Sequence, residues 1–214
     1  MKAVPERPQR THVRHSAKLV VCGADLAATP TPASPLQSDY FRGMQGVTEV
    51  CSECEFDPRT VGDNELGPEL VRLAIGYEKV ISDAVAEGCS ALASRPSPDV
   101  WSILEYAGHV EFIVDFVAHM CEVAKEDELA AVNGVDPDEH VDESNFNSID
   151  AAEMAGRIRN AGNRAQAALD RLEPAALGWM LAFNGNPAPL RLLTLAMVHE
   201  SHHHLRDVSK LAAA

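Results

Sequence analysis

Apolar residues recur at helical spacing in four separate stretches of the chain, and proline, glycine or polar runs close each of them. The first stretch predicts a helix from about Pro68 to Leu92, on which Leu70, Leu73, Ala74, Tyr77, Val80, Ile81, Ala84 and Val85 form one stripe. The segment SRPSP interrupts it. Ser97 then reads as an N-cap, with Pro98 in the first turn and Asp99 at the positive end of the helix dipole, so a second helix is predicted over about 98–125. A third is predicted over about 149–172, capped by Ser148, with Ile149, Ala152, Ala155, Ile158, Ala165, Leu169 and Leu172 on its inner face. The fourth, Leu190 to Leu211, contains no proline or glycine.

The connections carry their own signals. Residues 126–147 are acidic and read as a long loop, without the glycine and terminal glutamate that a calcium-binding loop requires. GWMLAFNGNPAP reads as a short loop or hairpin before the last helix, with Trp179 and Phe183 packing on the helices. Four amphipathic helices with two long connections predict an all-α four-helix bundle, a fold whose facing helices can hold a metal ion in the core. Residues 1 to about 45 are rich in Pro, Ala, Thr and Ser and lack periodicity, so they read as a flexible leader to a folded domain at 46–214. Met44 is a second candidate start within that leader.

Charge and composition exclude several roles. Lys2, Arg7, Arg10, Arg14 and Lys18 against Glu6 give residues 1–20 a net charge of +4; with a total of −14, the rest of the chain carries −18. A body so acidic repels phosphate backbones, so no nucleic-acid partner is expected. No apolar run approaches the length of about twenty residues that spans a bilayer, so no membrane association is expected. No secretory signal is read at the start. The five cysteines, at 22, 51, 54, 89 and 121, are an odd number without a disulfide-framework pattern and point to reduced thiols in a cytoplasm.

Candidate chemistry concentrates in the last helix, LRLLTLAMVHESHHHLRDVSKL, where four of the nine histidines fall between 199 and 204. His199 and His203 are i and i+4 and leave one face a turn apart, able to close on one cation. Glu200 and His204 make a competing pair one register along. Leu192, Leu195 and Ala196 lie on the side of His199 and His203, so that pair is expected to point inward. On the second helix His109 lies within about 60° of Phe112, Ile113, Phe116 and Met120 and belongs to the buried stripe, whereas His119 points some 80° away. Cys51 and Cys54 form a C-x-x-C in a polar loop, which is half of a zinc site or a redox pair; no second pair at zinc-finger spacing accompanies it.

Together CSECEFD, RPSPDVWSILEYAGHV and VHESHHHLRDV resemble the DinB-like superfamily of metal-binding four-helix bundles, related to mycothiol-dependent maleylpyruvate isomerases. The resemblance covers about residues 50–210, and the C-x-x-C resembles an actinobacterial-type subgroup. It implies a divalent metal, zinc before nickel, held at His109, His199 and His203, with water or a small-molecule substrate completing the sphere. It further implies activation of a low-molecular-weight thiol of the mycothiol type, for S-transfer to an electrophilic small molecule or its isomerisation. Arg206 and Asp207 stand where many members have glutamine. Glu200 and Asp207 are candidates to orient a ligand imidazole through its other nitrogen. Bundle relatives commonly pair, so a homodimer is an expectation here too. The alternative is a non-catalytic metal or redox sensor, or a structural zinc bundle, in which Cys51 and Cys54 close onto the metal and fill its sphere.

Overall fold

The structure, a computed structural model, describes residues 49–126 and 129–213. The leader and Met44 lie outside the described residues. Among the described residues there are five α-helices: α1 (Leu66–Glu87), α2 (Ile103–Glu126), α3 (Pro137–Ser144), α4 (Ala151–Asp170) and α5 (Leu190–Ala212). Three short strands accompany them: β1 (Ala131–Val132), β2 (Met180–Phe183) and β3 (Asn186–Pro189).

Local chemistry sets the ends of these helices, in places several residues from where periodicity suggested. α1 stops at Glu87 rather than Leu92 because Gly88 adopts a left-handed conformation (φ 66°). Cys89 N–H then reaches the Ala84 carbonyl, and Gly88 N–H that of Val85. Ser97 caps nothing: Val100 N–H donates to its carbonyl in a turn, and α2 begins only at Ile103. There Ser102 and Glu105 form a capping box, with Ser102 N–H donating to Glu105 Oε2 at 2.8 Å and Glu105 N–H donating to Ser102 Oγ at 3.1 Å.

The acidic connection, read as loop, contains α3, which Asp136 caps by accepting from Glu139 N–H and which carries a proline in its first turn. α4 is capped by Asp150, not Ser148; the Asp150 carboxylate accepts from the N–H groups of Ala152 and Glu153 at 2.9 and 3.2 Å. Ser148 instead closes the 3-10 turn Phe146–Ser148. Asp150→Ala is therefore expected to cost about 1 kcal/mol in urea unfolding. Ser148→Ala should cost less than half of that, and equal losses would remove the assignment.

The four long helices form a bundle in which α4 and α5 each pack against both α1 and α2, while α1 and α2 barely touch and so sit diagonally. Consecutive helices on a diagonal need a long crossing, which residues 88–102 provide. The small inner face of α4 permits close approach: a Cβ on Gly162 would lie 3.0 Å from Ala74 Cβ. Tyr77, Ile81, Leu104, Met120, Met154, Ile158, Leu193 and Val198 fill the core, whereas Val85 and Ala152 face solvent.

The segment before α5 is a hairpin whose turn residues Asn184 and Gly185 both have positive φ (48° and 79°), as a two-residue hairpin turn requires. β1 adds to it in parallel, pairing Ala131 with Ala182. Phe183 is buried and Trp179 half-buried against the core. No helix among the described residues is long and apolar enough to cross a membrane.

Candidate metal centres

α5 enters straight from β3, so the hairpin sets its position. Of its buried residues, Leu190, Leu193, Thr194, Met197, Val198, Ser201 and Val208 mark the stripe that faces the bundle, while Leu195 is buried on another side of the helix. At about 100° per residue, Glu200 and His204 fall on one edge of this stripe, and His199 lies on nearly the opposite side. The two i,i+4 pairs therefore look at different neighbours.

Glu200 and His204 meet His109 of α2, and one donor atom from each of the three lies within 4.8 Å of the others. His109 is 3% exposed, and both of its ring nitrogens are buried without a hydrogen-bond partner. Its Nε2 is 4.0 Å from Glu200 Oε1, which in turn lies 3.1 Å from His204 Nε2. Asp207 Oδ2 stands 3.5 Å from His204 Nδ1. Trp101 packs against both His109 and His204, and Tyr106 against His204.

Charge in this cluster follows from burial and pairing. Burial pushes His109 down to about 3, which leaves it a neutral imidazole with a lone pair to give. Burial also disfavours the charge on His204, but its contacts with Asp207 and Glu200 outweigh that and raise it to about 9. For Glu200 desolvation beside the buried histidines acts upward, and the contacts with His204, His109 and His203 together outweigh it, so its carboxyl stays ionised. A cation bound at these donors competes with the proton on His204.

On the other side of α5, His199 and His203 meet Cys51 and Cys54, again with one donor atom from each within 4.8 Å of all the others. The cysteines are free thiols on a turn in which Cys51 N–H donates to the Phe56 carbonyl, Glu55 N–H donates to the Cys51 carbonyl, and Glu55 has φ 62°. Phe56 stacks on His199 at 5.4 Å and lies 4.7 Å from the ring of His202. His199 Nε2 is buried and unpartnered. His203 Nε2 is 3.4 Å from Glu53 Oε2. His202 is engaged elsewhere, 2.6 Å from Glu69 Oε1 of α1.

The sequence matches the DinB superfamily over residues 82–208. The chain belongs to the DinB superfamily. No curated protein sequence matches it significantly. Among solved structures it is similar to YfiT from Bacillus subtilis, described as a probable metal-dependent hydrolase with an unusual four-helix bundle topology. The TM-score is 0.58 at 15% identity, over 74% of this chain and 92% of that one, a likeness of fold. The DinB match begins at residue 82 and ends at 208, and so takes in every candidate donor except Cys51 and Cys54.

In this DinB chain the expected trio of His109, His199 and His203 is divided between two clusters. His109 is inward, as its stripe implied, but its companions are Glu200 and His204, the competing register. The reason lies in a second apolar side of α5, where Leu195 is buried and Leu192 and Ala196 are partly buried, away from the bundle stripe. Segment 51–65 lies over that side, through Phe56 on His199 and through Arg191, which donates to the Val61 carbonyl and pairs with Asp63. Glu200 thus becomes a candidate donor, while Asp207 lies beside a candidate ligand ring. His119 is exposed. The rings of Trp101 and Tyr106 complete the surroundings of these histidines, and Ser102, whose S-x-x-E ahead of an apolar run is the legible capping signal, starts the helix that carries His109.

Proposed function

We propose that this DinB protein is a divalent-metal-dependent enzyme whose reaction centre is built on His109, Glu200 and His204. The observation that carries the reading is His109, an almost fully buried imidazole with neither nitrogen hydrogen-bonded, set beside a carboxylate and a second imidazole. Leaving buried polar atoms unpartnered is costly, and a cation satisfies them. Two imidazoles and one carboxylate suit zinc, with nickel next, and three protein donors leave a position open, as catalytic sites do. Cys51 and Cys54 gather with the other histidine pair and do not complete this set.

A cation held there supplies Lewis acidity, which makes a small thiol or water nucleophilic at neutral pH. The chain supplies the rest. Asp207, with Oδ2 3.5 Å from His204 Nδ1, backs the His204 ring from its far side. Trp101 and Tyr106 wall the histidines, and burial first, with nearby carboxylates adding to it, pushes the Tyr106 hydroxyl up to about 12, so it acts only as a hydrogen-bonding group. The Glu200 side chain is 43% exposed and marks the side from which a small molecule arrives. The substrate class is an electrophilic small molecule, with a low-molecular-weight thiol of the mycothiol type as cosubstrate for S-transfer or isomerisation.

Untagged protein tests this by elemental analysis together with assays of thiol addition and of ester or amide hydrolysis. His109→Ala should lose one divalent ion per chain and any thiol-dependent turnover. Full metal retention in that variant would overturn the centre. A metal-dependent hydrolysis that needs no thiol would keep the centre and replace the cosubstrate.

A further inference from the structure

We propose that Cys51, Cys54, His199 and His203 form a second metal site, a closed zinc clip that fastens segment 51–65 to the side of α5 turned away from the bundle. Several independent observations converge on it. The donor set is two sulfurs and two imidazoles, which selects zinc over hard cations such as magnesium or calcium. All four offer an atom within 4.8 Å of the rest although the pairs are about 150 residues apart in sequence. Each pair has ligand spacing: C-x-x-C on a tight turn held by the Cys51–Phe56 backbone bond, and H-x-x-x-H on one helical face.

His199 Nε2 is buried, unpartnered, and cushioned by the ring of Phe56. Glu53, between the cysteines, stands against His203, the kind of carboxylate that orients a ligand ring.

Four protein donors complete a tetrahedral sphere, so this site holds structure and leaves no position for a substrate. The physical need is visible. Segment 51–65 contains two short 3-10 turns, and its other ties to α5 include Phe56, the Glu53–His203 contact and the contacts of Arg191. Such a segment has no long helix or strand to hold it beyond the burial of Phe56, Pro58 and Val61, and a zinc site supplies binding energy that becomes folding energy for it. The clip is independent of the centre at His109, since the two share no residue.

The test uses full-length, untagged protein loaded with cobalt in place of zinc. A tetrahedral site with two thiolates gives an intense sulfur-to-cobalt charge-transfer band in the near ultraviolet. That band should appear in the wild type and persist in His109→Ala. It should vanish in Cys51→Ser, with the loss of one zinc per chain by elemental analysis and with at least about 10-fold faster proteolytic cleavage within 51–65. A wild type without the band overturns the proposal whether or not any variant folds. Zinc content unchanged in both Cys51→Ser and His199→Ala overturns it too, as does a single ion lost alike in Cys51→Ser and His109→Ala. If His109→Ala keeps all its metal while Cys51→Ser loses zinc and the band, the clip stands and the proposed reaction centre falls.

Discussion

Arg95→Met is expected to lower the free energy of unfolding by about 2–4 kcal/mol, well beyond the effect of an ordinary surface ion pair. Glu105 is 6% exposed and carries three charge-assisted contacts: Arg95 Nε approaches both of its oxygens, at 3.0 and 2.8 Å, and Ser102 N–H donates to one of them. Arg95 also donates to Asp142 of α3 at 2.8 Å. One guanidinium thus ties the crossing segment, the first turn of α2 and α3 together. Removing it leaves a buried carboxylate with a single backbone donor. The range sits below that of a fully enclosed pair because the Arg95 side chain is 22% exposed. Lys79→Met, which breaks an exposed i,i+4 pair with Asp83, should cost less than about 1 kcal/mol. Urea unfolding of both variants decides the matter, and equal, small losses would show that Glu105 finds other partners.

Gly108→Ala should destabilise the protein by about 2 kcal/mol even though alanine is the better helix former. A Cβ at this position of α2 would overlap the ring of Phe146, which is 4% exposed and sits in the turn between α3 and α4. The ring has to leave its place or α2 has to shift beside His109. The helix-propensity gain of about 1 kcal/mol offsets only part of that. Gly156→Ala in α4, where a Cβ meets nothing within 4 Å, should instead stabilise by about 0.5–1 kcal/mol. In the double variant Gly108→Ala with Phe146→Ala the overlap no longer exists, so the combined loss should fall short of the sum. Strict additivity would mean that the two sites do not touch.

The boundaries that periodicity misplaced all lie where a short-range contact overrides the apolar stripe. Gly88 ends α1 early by adopting a left-handed conformation, which no side-chain pattern upstream foretells. Ser97 and Ser102 both look like caps, and Glu105 decides between them because only Ser102 has a carboxylate three residues on that reaches back. Asp150 prevails over Ser148 because Ser148 is already used in the preceding turn.

What the sequence by itself determined is the set of apolar stripes, the inward position of His109, the gathering of donors on two turns of α5, and the donor chemistry of the C-x-x-C. Only the tertiary structure decided which donor joins which. One residue of register turns a helix by about 100°, and α5 has apolar residues on both of its sides, so its own pattern leaves the rotation open. Packing against α1 and α2 sets that rotation, and it delivers Glu200 and His204 to His109. The pair left facing outward, His199 and His203, meets Cys51 and Cys54 because the segment before α1 folds back over α5, a long-range placement that nothing within the loop encodes.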